Sequence, residues 1–397
     1  MYGAYNGIPI NDSMYLSPGL TGYGSSLVLN GTLNQSVTVT NYINLTNVSF
    51  TFEAWIYLTV VSNADYSIFG QCELRVLNKC LHSKISNYKL YFGFFSNDLQ
   101  GSGNLSVDTW YHVGFVYEYS TMTQSIYLNG VLDGSRSCGT YYKGTSGNLT
   151  IGTTNDSITT QYFSGRIDQV LLTLAAKTAT EILDDATLTA FYSFDSGSLY
   201  DSGPNKINGS GFNTSVVSGK VGQAIRFAQN YSYFQITGLL LLGIPNQPYS
   251  LALWIKPTVS VNGTLIHTSN MTTGTGWCVP MLGLDEGGHI IVSSLNGTVR
   301  PSINGTVVNP NVWTHVAQTY GPDNGLTMYV NGALYGSTGS FAYAASDSFD
   351  TITIGNPLLG NSCENDFSPG QFYGAVDEFR LYSRELSAAD VLTLANP

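Results

Sequence analysis

Charge is what this sequence has least of: of 397 residues, only a tenth are Asp, Glu, Lys or Arg. The 15 Lys and Arg are scattered singly and the net charge is −11, so no basic surface exists to neutralise phosphates. That excludes a nucleic-acid partner and an electrostatically held membrane surface. Long hydrophobic runs are also missing. The best, Leu239 to Ile244, falls far short of the roughly 20 residues that a spanning helix needs, which argues against membrane insertion. The opening MYGAYNGIPINDS lacks the basic and apolar regions of a signal peptide. No C-x-x-C pair occurs, so a zinc site or a thioredoxin-type centre has no support. Gly (43) and Tyr (27) are plentiful instead, with much Ser, Thr and Asn, a composition suited to short strands joined by polar turns.

The N-x-S/T sequon is the strongest positive mark. Fifteen sites fit: Asn11, Asn30, Asn34, Asn44, Asn47, Asn104, Asn148, Asn155, Asn208, Asn213, Asn230, Asn262, Asn270, Asn296 and Asn304. With 32 Asn and 81 Ser or Thr in the chain, chance would supply roughly six or seven. The excess points to N-glycosylation in a eukaryotic secretory pathway, with the acceptor asparagines on loops or outward strand positions. The chain is therefore expected to be a secreted, extracellular glycoprotein. Five cysteines fit an oxidising compartment. Cys72 and Cys80 can clip a local loop, and Cys278 and Cys363 can join distant strands of the second half. Cys138 is left unpaired or bonded to another chain.

The chain repeats itself. FTFEAWIYLTV around Trp55 matches YSLALWIKPTV around Trp254. The region of Trp110 matches that of Trp313, Asn129-Gly130 matches Asn331-Gly332, and GRIDQVLLT at Asp168 matches GAVDEFRLY at Asp377. Offsets of 199, 203, 202 and 209 residues mean two copies of one fold, with the drift confined to loops. Each copy reads as antiparallel β. Ser125–Leu128 and Leu326–Val330 run into Asn-Gly, whose preference for positive φ suits a type I′ hairpin turn. SFTFEAWIYL alternates apolar and polar residues, which predicts a strand buried on one face. Short helices are expected at Thr178–Asp185 and Ser387–Leu394, each opening with a capping-box pattern. The boundary is placed at about residue 187, giving domains 1–187 and 188–397.

The order W-I-x-[PL]-T, W-x-H-V, [YL]-x-N-G, G-x-[IV]-D-[EQ] and a short helix, present twice, resembles the laminin-G-like jelly-roll family. The resemblance covers nearly the whole chain. It implies an all-β fold of two tandem concanavalin-A-like antiparallel β-sandwich jelly rolls with short terminal helices. Members are mostly extracellular adhesion or carbohydrate-binding modules, and some relatives are glycosidases. Those that cleave sugars resemble E-x-D-x-x-E, a string absent here. Asp377 and Glu378 are adjacent on a strand and should point to opposite faces, so they do not make the carboxylate pair that hydrolysis requires. The chain is read as a non-enzyme.

His112 and His315 recur at one place in both copies, which favours packing over chemistry. The pairs Trp55/Trp110 and Trp254/Trp313 read as core anchors. Trp277 has no counterpart and is the better candidate for stacking on a sugar. The residues call for no cofactor. In the resembling family a structural calcium can sit beside a D-S-G loop and the G-x-[IV]-D carboxylate, here Asp201 and Asp377. Turn capping by the same two carboxylates is the alternative.

Two functions compete. One is a structural or adhesive glycoprotein that self-associates or joins the extracellular matrix; the other is a lectin-like module binding carbohydrate or protein. The second copy has an opening strand, AFYSFDS, whose equivalent in the first copy would fall ahead of Met1, because Gly24 and Gly222 precede their Trp by 31 and 32 residues. The first domain is thus expected to lack its first strand and to take one from a neighbouring segment, building a fibre by strand addition; the rival is that MYGAY folds back to fill the place. Most sequons should carry glycan: the intact mass should fall by more than two glycans on enzymatic deglycosylation, and a smaller shift contradicts this reading.

Overall fold

The computed structural model describes residues 5–22, 24–72, 75–154, 162–259, 262–363 and 370–397. It divides into two compact units, one holding Gly24–Ala186 and the segment ahead of Thr21, the other Thr187–Pro397.

Each unit is two antiparallel sheets. In the first, one sheet runs edge to edge through Gly7–Ile10, Ser36–Val39, Leu149–Ile151, Tyr66–Gln71, Leu81–Ser86, Lys89–Gly93 and Asp98–Gln100. The other runs through Val131–Ser137, Thr123–Leu128, Trp110–Glu118, Phe50–Leu58, Gly165–Thr173, Ser26–Leu29 and Met14–Leu16. The second unit repeats both orders, with one addition: Leu188–Tyr192 pairs with the last strand, Gly374–Tyr382. The hairpins turn where expected. Asn129 and Gly130 have φ of 51° and 80°, Asn331 and Gly332 of 49° and 81°, both residues left-handed as a type I′ turn demands. The helices are Ala179–Thr187 and Ala388–Leu394. Thr178 with Glu181, and Ser387 with Asp390, exchange the reciprocal bonds of a capping box.

Between the sheets of the first unit lies an aromatic core in which Phe52 stacks on Phe69 and Phe50 touches Phe92, Phe94, Tyr117 and Tyr142. Cys72–Cys80 and Cys278–Cys363 are joined, each within one unit. Cys138 is free and buried, and burial pushes its thiol up to about 11, so it is held protonated and away from other chains.

The Trp-bearing strand departs from expectation. Phe50–Leu58 and Tyr249–Pro257 are buried almost throughout, on both faces. The reason is the terminal helix, which lies on the side away from the core: Ile182 packs on Val116 and Tyr127, and Val391 on Ala317 and Tyr329. The two copies fill this second layer with opposite chemistry. In the first, Glu53 is 2% exposed and bonds Lys177 Nζ at 2.5 Å, and Lys177 also bonds Asp185. In the second, the corresponding residues are Ala252 and Leu386, members of an apolar cluster. Burial pushes the Glu53 carboxyl up to about 7 against the pull of Lys177.

A buried ion pair is costly to break and close to neutral to replace. Lys177→Ala should therefore cost about 3 kcal/mol in urea unfolding, because it leaves the Glu53 carboxyl buried without its partner. Glu53→Ala with Lys177→Leu, which recreates the second copy's pair, should stay within about 1 kcal/mol of the parent.

Candidate ligand-binding site

In the first unit the sheet without a helix turns one face outward. Leu81–Ser86 alternates buried and half-buried, so Leu81, Ser83 and Ile85 face inward and His82, Lys84 and Ser86 outward. Register places an outward row across five strands: Thr150 opposite Gly70, Gly70 opposite His82, His82 opposite Gly93, and Gly93 opposite Asp98. Two of these residues are glycines, and both are needed. A Cβ on Gly93 would fall 1.8 Å from Asp98 Oδ1, and one on Gly70 2.8 Å from Thr154 Oγ1. The two glycines thus let Asp98 and Thr154 pack close to the sheet, and both of these residues line a groove of about 270 Å³.

The groove is polar with an aromatic wall. His82 and Tyr91 stack with ring centroids 5.9 Å apart, and Lys84 Nζ lies 4.9 Å over the Tyr91 ring while bonding Asp65 at 2.5 Å. His82 Nδ1 sits 3.0 Å from the Cys80 carbonyl, and Nε2 lies 3.5 Å from Asp98 Oδ1. Burial lowers the pKa of the imidazole, so the ring is neutral; since a carbonyl only accepts, Nδ1 donates and Nε2 is an acceptor. Burial, then the Asp98 carboxylate, pushes the Tyr91 phenol up to about 12, so it keeps its proton. Thr154 Oγ1, 5% exposed and lining the groove, has no hydrogen-bond partner among the described residues. The set offers an unpartnered hydroxyl, an imidazole acceptor, carboxylates and an aromatic ring, which suits a neutral ligand rich in hydroxyl groups.

The same place in the second unit is closed. His267 stands where the first unit has Gly70, opposite Thr353 as Gly70 is opposite Thr150. It is fully buried, with Nε2 2.7 Å from the Gly274 carbonyl of the overlying loop. A wider cleft of about 640 Å³ lies at the edge of this cover, with Tyr231, Tyr373, Asn356 and Gln371 in its walls. Asn230, a sequon asparagine, is part of that wall, and its Oδ1 accepts from the Tyr373 hydroxyl.

Other residues singled out in the sequence have structural partners. His112 and His315 are buried edge-on against Trp55 and Trp254, 5.4 and 5.2 Å between rings. Burial drives their pKa values down to about 3 and about 4, so both are neutral. Trp55 and Trp254 are buried as anchors, whereas Trp110 and Trp313 are only half-buried, beneath Arg166 and Lys256. Trp277 is partly buried against the second core and meets Tyr343 edge-on, which leaves it poorly placed to stack on a sugar.

Asp201 accepts from the amides of Phe191, Gly203 and Ile207 at 2.9, 2.7 and 2.9 Å. Asp377 accepts from Lys220, Val221 and Glu378 at 2.7, 2.9 and 2.9 Å. Asp168, in the first unit, likewise takes Leu20 and Gln169. No donor is shared between Asp201 and Asp377, and the amide hydrogens already directed at both suit a turn latch better than a cation. Glu378, beside Asp377, pairs instead with Arg380 at 2.7 Å.

Of the sequon asparagines, Asn155 lies outside the described residues. None of the others is buried: Asn262, Asn270 and Asn296 are half-buried and the rest exposed. Sequons adjoin this sheet in both units: Asn11, Asn34, Asn44, Asn47, Asn104 and Asn148 flank its strands in the first, where Asn155 also follows the groove residue Thr154 in sequence, and Asn262, Asn270, Asn296 and Asn304 fall on the corresponding sheet of the second unit or its loops.

The model of the laminin-G family within the concanavalin A-like lectin/glucanases superfamily matches residues 30–183 and 228–392, and the chain belongs to that family. No curated protein sequence matches it. Among solved structures it is similar to domain 4 of AbnA, a GH43 extracellular arabinanase from Geobacillus stearothermophilus solved with arabinotriose. There the identity is 24% and the TM-score 0.38, over 52% of this chain and 98% of that one. The binding domain of Paraclostridial Mosquitocidal Protein 1 is 17% identical with a TM-score of 0.42, over 53% of this chain and 52% of that one. A botulinum neurotoxin type C structure concerned with ganglioside-dependent cell entry is 14% identical with a TM-score of 0.40, over 54% of this chain and 51% of that one. The match thus spans about half of each toxin structure, and these likenesses are of fold alone.

Because both carboxylates are already held by amides, chelator treatment should leave the Tm unchanged by calorimetry. A fall that added calcium reverses would establish the metal.

Proposed function

We propose that the chain is a non-catalytic, extracellular N-glycosylated binding module whose first domain holds a hydroxyl-rich ligand, a carbohydrate, in the groove beside His82 and Tyr91. The observation that carries this reading is the groove itself, with the Tyr91 ring in its wall and the Thr154 hydroxyl, among the described residues, without a partner. Two disulfides fit an extracellular setting, and no helix among the described residues is long and apolar enough to cross a membrane. Lysine and aspartate in the groove pair with each other, so the ligand need carry no charge.

A structural or adhesive role within a fibre or matrix has a separate observation in its favour. Among the described residues, the last strand of the first domain has no neighbour beyond Ile167 on the side away from Phe50–Leu58.

A glycan array tests the binding reading. The intact chain should retain a restricted class of sugars, and Tyr91→Ala should weaken retention about tenfold or more, the equivalent of about 1.4 kcal/mol. Equal retention by the variant moves the site elsewhere; no retention of any sugar by the parent removes the reading.

A further inference from the structure

We infer that the open edge of Val170–Thr173 is a strand acceptor, built to take an extended apolar and aromatic segment of another polypeptide in the way the second domain takes Leu188–Tyr192; the inference rests on the assembly reading above. The two last strands correspond residue by residue. Asp168 and Asp377 each latch the loop that precedes their domain's Ser26–Leu29 or Gln223–Phe227 strand. The next residues, Gln169 and Glu378, share a left-handed conformation, with φ of 50° and 52°. At this bulge the strand changes neighbours on one side. Before it, Gly165–Ile167 pairs with Ser26–Leu29, and Gly374–Val376 with Gln223–Phe227. After it, the second domain's edge is filled: Tyr192 lies opposite Phe379, Phe191 opposite Arg380, Ala190 opposite Leu381 and Leu188 opposite Tyr382. Of the first domain's counterparts, Val170 lies in the bulge and Leu171 to Thr173 pair only with the Trp-bearing strand, and among the described residues nothing pairs on the other side.

The chemistry of this edge is that of a contact surface. Edges that face water are commonly guarded by charge. Here the covered edge carries the charge, Arg380, and the open one carries leucine in its place: Leu171 is 43% exposed and Leu174 61%. From Gln169 to Ala176 there is no charged residue. No sequon occurs between Asn155 and Asn208, so no glycan attached there would guard the edge.

The core beneath specifies the occupant. In the second domain Tyr192 delivers a ring against Phe234 and Phe379, at 4.8 and 6.3 Å. Register puts Val37 and Val170 at the corresponding places, each smaller by most of a ring. An incoming strand with a bulky aromatic at that position fills the difference. The occupant is therefore an uncharged, extended segment of the Leu188–Tyr192 kind, carried by another domain of this fold; one such contact repeated head to tail does not close and gives a filament.

Hydrogen exchange on the full glycosylated chain tests this, with a peptide of residues 187–195 flanked by solubilising lysines. The peptide should slow exchange at the Val170–Thr173 amides about tenfold or more. The same peptide with proline at the Phe191 position should not, and neither should the parent peptide on a Leu171→Lys chain that melts like the parent. Absence of protection, or amides already protected before peptide is added, overturns the inference. Filaments seen by electron microscopy while the edge stays unresponsive to peptide would keep the assembly reading and remove this edge from it; a responsive edge in a chain that never assembles would do the reverse.

Discussion

Everything in each sandwich hangs on the ladder between the Trp-bearing strand and its two neighbours. Phe50–Leu58 pairs along its length with Trp110–Glu118 on one side and Gly165–Thr173 on the other, and Tyr249–Pro257 repeats this with Thr314–Gly321 and Gly374–Tyr382. A backbone paired on both edges and covered on both faces has no exit to water, so its register cannot slip without exposing a whole row of side chains. That rigid ladder sets where the Trp–His contacts, the Asp latches and the opposite sheet must lie. His112 and His315 are neutral, buried partners of this ladder, and their repetition reflects the scaffold rather than a reaction.

The two copies show how much freedom remains once the ladder is fixed. The layer between helix and sheet is ionic in one domain, through Glu53 and Lys177, and apolar in the other, through Ala252 and Leu386. Either pair satisfies the layer as a unit, whereas removing one partner of the ion pair leaves the other buried without it. The outward sheets diverged further. A loop and His267 close the face in the second domain, while in the first Gly70 stands in the place of His267 and a groove lies beside it.

What the sequence determined alone follows from local rules and repetition. Asn-Gly at 129–130 and 331–332 specifies its turn through φ, the capping boxes specify the helix starts, and two copies at a nearly constant spacing specify two domains. Cysteine pairing within each copy was legible for the same reason. What needed the tertiary structure depends on residues far apart in sequence. The alternation in SFTFEAWIYL reads as one buried face, yet a helix 120 residues later covers the other. The groove drew no attention in the sequence because its members, Asp65 to Asp98 with Thr154, carry no motif; register across five strands assembles them. Asp201 and Asp377 left two roles open as letters, and the amides directed at both became visible only in the structure, since a carboxylate's partners are set largely by loops that fold onto it.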